Sequence, residues 1–423
     1  MWTRRGFGLG AGSLGLAAAP PLRAQEALSV DDRLYGEGRY LPVYLDLKTK
    51  AAAGDRAAGG MLSQFASFVG DEQSAIGSVE RPPAASIPRP DLTSAESRDA
   101  LEAIVEGARD TRVVILNEAH NISGHRAFAA QVARALRPLG YDWFAAETFT
   151  PPQGEHAPSI GGYREGMPFI SGFGYYTHDP VYAETVREAA RLGYRFADYE
   201  QTQAQSAPDD ATPEVQIATR EQAQADNLIA KVLASNPDAR VFVHVGYSHA
   251  MEKPGLGGTW FAARLKEKTG IDPLTIEQSG NWPAMDPAND APHVAAVLER
   301  FAPERPIVVS SGGVTIANRT YAGQMDLSVF HPRKAPVSGR PGWLAADPAR
   351  RAFTVDVPAF EGIALLQAIR ASEGPAGVPA DHFLLTPGQS RATFFLYPGS
   401  YYVRLERAAG IDPAYGQIRI EAG

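Results

Sequence analysis

The stretch Arg112-Val113-Val114-Ile115-Leu116-Asn117-Glu118-Ala119-His120 decides the fold. Its four apolar residues are β-branched or large, too few for a helix and without alternation, which is the pattern of a strand buried on both faces. Polar and ionisable residues follow abruptly. Phe128, Val132, Leu136 and Leu139 then recur at helical spacing, and a second short apolar run, Trp143-Phe144-Ala145-Ala146, comes after them. Strand, helix and strand over so few residues form a βαβ unit, which places the two strands parallel.

Outward from this unit the rhythm persists. A helical face through Tyr182, Val186 and Ala189 leads to a third strand, Tyr194-Arg195-Phe196-Ala197-Asp198. Thr212-Pro213-Glu214 opens another helix, because Thr can cap, Pro suits the first turn and Glu complements the positive end of the helix dipole. Ala225, Leu228, Ile229 and Val232 are its apolar stripe. Val241-Phe242-Val243-His244-Val245 is the fourth strand, Phe261 to Lys268 a helix, Leu274-Thr275-Ile276 the fifth strand, and Pro306-Ile307-Val308-Val309-Ser310 closes the sheet. Residues 91–335 therefore predict an α/β domain, a mostly parallel sheet with helices on both faces.

After about Gly339 the pattern changes to short alternating strands with Gly/Pro turns: Phe353-Thr354-Val355-Asp356-Val357, Ala392-Thr393-Phe394-Phe395-Leu396 and Tyr401-Tyr402-Val403-Arg404-Leu405. Residues 339–423 predict an antiparallel β-sandwich module. Residues 25–90 read as an N-terminal helical segment, with Leu45, Leu47, Met61, Phe65 and Phe68 as buried positions. It ends in the proline-dense linker Arg81-Pro82-Pro83 to Pro88-Arg89-Pro90, where backbone donors are missing and helix is resisted.

The opening Thr3-Arg4-Arg5-Gly6-Phe7, an uncharged Gly/Leu/Ala stretch and Pro20-Pro21-Leu22-Arg23-Ala24 form a twin-arginine signal peptide over residues 1–24, which predicts a periplasmic or secreted protein. That stretch is too short and too rich in glycine to span a bilayer, so the mature chain is expected to carry no transmembrane segment. Loss of Arg4, Arg5 and Arg23, with no acid among the residues removed, takes the formal charge from −8 to −11. A chain this acidic has no surface for nucleic acid. With 0 cysteines, disulfides, thiolate nucleophiles and Cys-based zinc sites are excluded together, and any metal must rest on His, Asp, Glu or water.

In an open parallel sheet, ligands collect beyond the carboxyl ends of the strands. The four central predicted strands run out there into Asn117-Glu118-Ala119-His120, Glu147, Tyr199-Glu200 and Gly246-Tyr247-Ser248-His249. Glu118 and His120, two apart at a strand end, point the same way and can reach one metal ion or one water. Glu147 and His249 can complete a ligand set, with Glu118, His120 and His249 as the metal candidates, or supply a base and its orienting partner. His125 can open the next helix and face the pocket, Arg220 and Asn227 lie two turns apart on one helical face where they could meet an anionic group, and Tyr247 is a further substrate-binding candidate. His244 lies inside an apolar strand on the face opposite His249 and reads as a core or supporting residue. The Gly/Tyr-rich segment from Gly161 to His178 reads as a lid over the crevice or as a surface excursion.

These strand-end motifs carry a resemblance. Val113 to Asn121, Ala145-Ala146-Glu147-Thr148-Phe149, Arg220 to Asn227 and Val243 to His249 are similar to the G-E-x-H, acidic, Arg/Asn and G-x-x-H elements of the erythromycin esterase and ChaN-like superfamily, to which the Tiki proteins are more distant relatives. The resemblance spans about residues 108–280, and Asn117 departs from it where the family has glycine. It implies that Glu118, His120, Glu147 and His249 form the site. In the esterase branch such a histidine activates water for ester hydrolysis; the ChaN branch binds haem and the Tiki relatives use a divalent metal for proteolysis. Two readings follow, a hydrolase of an ester or amide in a small molecule or peptide, metal-dependent or not, and a non-catalytic haem or metal carrier. A third is an interaction protein that kept the fold and lost the activity.

Overall fold

The computed structural model describes residues 32–83, 87–152, 154, 157–255 and 257–421, so the stretch 1–24, where a twin-arginine signal is expected, lies outside the described residues. Two antiparallel helices come first, α1 (Leu41–Ala52) and α2 (Arg56–Phe68). The α/β domain follows: β1 (Ala95–Asp99), α3 (Ala100–Gly107), β2 (Val113–Glu118), α4 (Ser123–Leu136), β3 (Trp143–Ala146), α5 (Pro180–Arg191), β4 (Arg195–Asp198), α6 (Pro213–Leu228), β5 (Val241–Gly246), α7 (Phe261–Thr269), β6 (Leu274–Glu277), α8 (Pro292–Phe301), β7 (Ile307–Ser311), β8 (Val314–Thr315) and β9 (Leu327–Phe330). A short helix, α9 (Gly342–Ala346), leads to β10 (Arg351–Asp356), β11 (Ala364–Arg370), β12 (Asp381–Leu385), β13 (Arg391–Leu396), β14 (Gly399–Arg407), β15 (Gly410–Ile411) and β16 (Gly416–Ile420).

The large sheet runs β1-β7-β9-β6-β2-β5-β3-β4, with β8 beside β7. From β9 to β4 every pairing is parallel, whereas β7 is antiparallel to both β1 and β9. The predicted α/β class holds, and three strands, β1, the two-residue β8 and β9, were not legible in the sequence. β1 reads Ala-Glu-Ser-Arg-Asp and is largely exposed, an edge strand with no apolar run to announce it. β9 is only four residues long and inserts between β6 and β7, so the sheet reverses direction at one edge where the sequence suggested a simple parallel closure.

The centre of the sheet is buried at every residue of β2 and β5. Its alternation is visible in what each face touches: Val114, Leu116, Phe144 and Phe242 pack with Phe128, Val132 and Val186 of α4 and α5, and Val113, Ile115, Val241 and Val243 pack with Leu228, Val232 and Leu265 on the α6 and α7 side.

The C-terminal strands form an antiparallel β-sandwich, a β10–β13 ladder facing the sheet β12-β11-β14-β15 with β16 on β14. Leu366, Phe394, Leu396, Val403 and Leu405 fill the space between the two. The module is bound to α5 by ion pairs, Arg370 Nη2 to Glu184 Oε2 at 2.5 Å and Arg187 Nη2 to Glu373 Oε2 at 2.6 Å. It also holds the start of α1. The buried Glu406 carboxylate accepts the Tyr40 and Leu41 backbone N–H groups at 3.3 and 3.1 Å and Arg39 Nε at 2.9 Å, so an anion stands at the positive end of the helix. Leu41, Tyr44, Phe65 and Phe68 of the hairpin pack in turn on Ala119, Ile122 and Tyr176, which places the hairpin beside the carboxyl edge of the sheet.

Glu406→Leu is expected to destabilise the protein by about 2–4 kcal/mol, since it leaves two backbone N–H groups without an acceptor and the Arg39 guanidinium without its counter-ion. Urea unfolding measures the loss, and early proteolysis within α1 and α2 should accompany it.

Candidate active site

The residues singled out at the four strand ends do converge on one edge. Parallel register places Glu118 beside Gly246 and Ala146 beside His244, so Glu118, Glu147 and the Gly246–His249 turn are neighbours by construction of the sheet. Gly246 explains its own identity: a Cβ there would lie 2.4 Å from His120 Cε1, 2.7 Å from His120 Nε2 and 3.1 Å from Glu147 Oε2. Only a glycine lets the imidazole and the carboxylate come this close to the backbone. Glu147 Oε2 also accepts the Gly246 N–H at 2.6 Å.

His120 is held on three sides. Its Nδ1 donates to Glu118 Oε1 at 2.9 Å, Tyr176 lies flat on the ring with 4.3 Å between centroids, and Tyr247 meets it edge-on at 4.9 Å. Its side chain keeps 13% of its surface exposed and its Nε2 lies on the side away from Glu118. Tyr247 sits at φ +40, a strained value for a bulky residue. It is fastened there from both ends: Asn117 Nδ2 donates to its carbonyl at 2.9 Å, and its hydroxyl accepts the His120 backbone N–H at 3.2 Å.

Beneath His120, Glu118 is anchored by Arg126, whose Nε and Nη2 donate to Oε2 and Oε1 at 2.9 and 3.0 Å. The guanidinium is fully buried and also donates to Asp179 Oδ2 at 2.6 Å and to the His120 carbonyl at 2.8 Å. Burial alone would push the Glu118 carboxyl up, but Arg126, the His120 hydrogen bond and His244 outweigh it and hold the group well below the ordinary carboxylate range.

His249 is a different kind of histidine. Nδ1 bonds Glu221 Oε2 at 2.9 Å and Nε2 lies 3.3 Å from Glu147 Oε1. Burial disfavours its charge, yet Glu147 and then Glu221 overcome that and raise its pKa to about 10. It is an imidazolium at neutral pH. Glu221 is itself fixed by the Phe261 N–H at the start of α7, 2.7 Å away. Arg220 donates to Glu147 Oε1 at 2.7 Å and pairs with Glu200.

Glu118, His120, Glu147, Tyr247 and His249 are thus gathered, with Arg220 behind Glu147. Two candidates are not part of the cleft. His125 is fully buried, accepts the Ala119 N–H on Nδ1 at 3.1 Å and packs edge-on against Trp282, because α4 turns that face inward. Asn227 spends its amide on the Tyr199 and Glu200 carbonyls and on Gln205, so it ties down a loop instead of meeting an anion. Arg220 is likewise committed to two carboxylates. The 161–178 segment is no free lid, since Tyr163, Phe169 and Phe173 are in the core and only Tyr176 reaches His120. Asn117 does not crowd the cleft: its Oδ1 accepts the Gln278 and Ser279 N–H groups at 2.8 and 3.2 Å, bracing the end of β2 against the loop after β6. Sequence reasoning missed Arg126 and Glu221 and marked Tyr176 only as part of the Gly161–His178 segment. Arg126 and Glu221 lie inside helices and look like surface charges, and Tyr176 belongs to an irregular segment, so no local pattern marks them.

The three candidate metal ligands do not fit an ion as arranged. Both oxygens of Glu118 are taken by Arg126 and His120, His249 faces a carboxylate with each nitrogen, and among the described residues no three His, Asp or Glu side chains converge on one point. For the same reason His249 offers no bare nitrogen as an axial ligand to haem, and His120 Nε2 alone would be suited to it.

No family model and no curated protein matches the chain. Among solved structures, the type III effector HopBA1 aligns at 14% identity over 50% of this chain and 94% of its own, with a TM-score of 0.31. Two structures of bacterial protein toxins align at 18% and 15% identity over 39% and 40% of this chain, each with a TM-score of 0.26, and the chain spans about a third of theirs, 34% and 35%. Alignments of this kind assign no chemistry to the site.

His249 provides a measurement of the site's electrostatics. Its folded pKa is raised from 6.5 to about 10, so its stabilising contribution is complete below pH 6.5 and is lost as pH rises through 10. Unfolding free energy should therefore fall between pH 7 and 9.5 with a slope approaching about 1.4 kcal/mol per unit, and His249→Gln should flatten it. An unchanged slope in the variant would show that Glu147 and Glu221 do not hold the proton there.

Proposed function

We propose that this chain is an exported hydrolase that cleaves an ester or amide with His120 as general base. One observation carries the reading: His120 has one nitrogen bound to a buried, ionised carboxylate, which leaves Nε2 as a bare acceptor at the partly exposed edge of the cleft. That is the arrangement a general base needs, with the tautomer and ring plane set before substrate arrives. In this reading a water attacks the substrate carbonyl and gives its proton to His120 Nε2, Glu118 stabilises the imidazolium, and the proton passes to the leaving group. His249, paired with Glu221 and Glu147, holds the Glu147 carboxylate in place beside the base. The chain has no cysteine and no G-x-S-x-G elbow, which favours direct attack by water over a covalent acyl-enzyme. The likeness of the strand-end motifs to the erythromycin esterase group supports the same chemistry, and the Arg4-Arg5 leader supports an extracytoplasmic setting.

Hydrolysis of p-nitrophenyl acetate and butyrate, and of the corresponding anilides, tests the proposal. His120→Gln should lower kcat/KM by roughly 100-fold or more with its circular dichroism intact, and Glu118→Gln by a comparable factor, since it removes the anion behind the base. Equal rates in wild type and His120→Gln would sink the reading, and so would an intense Soret band in the protein as purified. Gly246→Ala offers a steric check, because its methyl group occupies the space of the His120 ring. It should reduce kcat at least tenfold.

A further inference from the structure

His244 is buried in the middle of β5, one layer below Glu118, and the proposed reaction does not use it. Its Nδ1 lies 3.1 Å from the hydroxyl of Tyr182, a residue of α5, and its ring is tilted against that tyrosine at 5.3 Å. Its Nε2 has no hydrogen-bond partner although it is shut off from solvent, and it lies 3.8 Å from Glu118 Oε2. An orphaned nitrogen in the interior of a parallel sheet is costly unless something nearby answers it.

The tautomer follows from the surroundings. Glu118 is a carboxylate, and a bare lone pair on Nε2 would face that anion. A proton on Nε2 points the positive end of the N–H at it instead, and leaves Nδ1 to accept the Tyr182 hydroxyl proton. Burial drives any second proton off, lowering the His244 pKa to about 4, so the ring is neutral. A neutral donor suits this place. Arg126 already supplies the full positive charge on Glu118, and a second cation would weaken the anion that His120 needs.

We infer that His244, with its tautomer set by Glu118 and matched by the Tyr182 hydroxyl, is a positioning residue for the catalytic pair: its Nε2–H is aimed at Glu118 Oε2 and helps to keep Oε1 turned toward His120. The inference rests on the hydrolase reading above. The 3.8 Å gap is longer than a hydrogen bond, so the N–H acts on Glu118 Oε2 by charge–dipole attraction.

Two measurements test it, one independent of catalysis. In protein labelled with 15N-histidine, the resonance that disappears in His244→Phe should belong to a neutral ring protonated on Nε2. Protonation on Nδ1 would overturn the inference whatever the enzyme does. With p-nitrophenyl butyrate, His244→Phe should lower kcat roughly 10- to 100-fold while KM stays within about twofold, as losses of supporting partners commonly do. His244→Gln, which restores an N–H donor, should recover part of the loss. Tyr182→Phe, nearly isosteric, removes the partner of Nδ1 and should lower kcat several-fold. If both His244 variants turn over like wild type while His120→Gln is dead, the positioning role is wrong and the hydrolase reading stands. If His120→Gln is as active as wild type, the hydrolase reading fails and takes the positioning role with it.

Discussion

The site depends on one buried cation. Arg126 has no exposed surface and joins Glu118 to Asp179, so a strand end, the first turns of two helices and the His120 backbone are bound to a single guanidinium. Removing a charge of this kind would leave two carboxylates in the interior, a loss of about 3–5 kcal/mol in comparable buried pairs. Its own cation is surrounded by aromatic faces, with Tyr176 at 4.9 Å and Tyr182 at 5.7 Å. These two rings also touch His120 and His244, so the guanidinium sets the positions of both imidazoles indirectly.

Around that anchor the two histidines of the cleft are pushed apart in role by their surroundings. His120 has one carboxylate partner and a partly open second nitrogen, and His249 has carboxylates at both nitrogens and retains its proton. Divergent environments are the means by which chemically identical side chains at one sheet edge acquire different protonation and hydrogen-bonding roles. The helical hairpin and the C-terminal sandwich contribute at a distance. Glu406 fixes the start of α1, α2 supports Tyr176 through Gln64 at 2.8 Å, and Tyr176 covers His120. Elements outside the α/β domain therefore help to shape the wall around His120.

The outline of the site was legible because a parallel sheet converts sequence position into place. Glu118, His120, Glu147 and His249 each follow a short apolar run, and consecutive parallel strands deliver such residues to one edge. Residues on helices carried no comparable signal. His125, Arg220 and Asn227 are expected at the ligand from helical spacing, the last two also from the resemblance. In the structure the imidazole, the guanidinium and the amide are consumed by Trp282 and the Ala119 N–H, by Glu147 and Glu200, and by loop carbonyls. Arg126 and Glu221 sit in helices where any solvated charge would fit the pattern equally well.

Apolar runs such as Val113–Leu116 and Val241–Val245 determined by themselves that a mostly parallel α/β sheet would form and which edge would carry the polar residues, because hydrophobic periodicity and strand direction are local properties. Only the tertiary structure decided which polar atoms meet. Hydrogen-bond and ion-pair partners lie many residues apart, as Glu118 and His244 or Glu221 and His249 do, and their protonation depends on burial that no single segment of chain encodes.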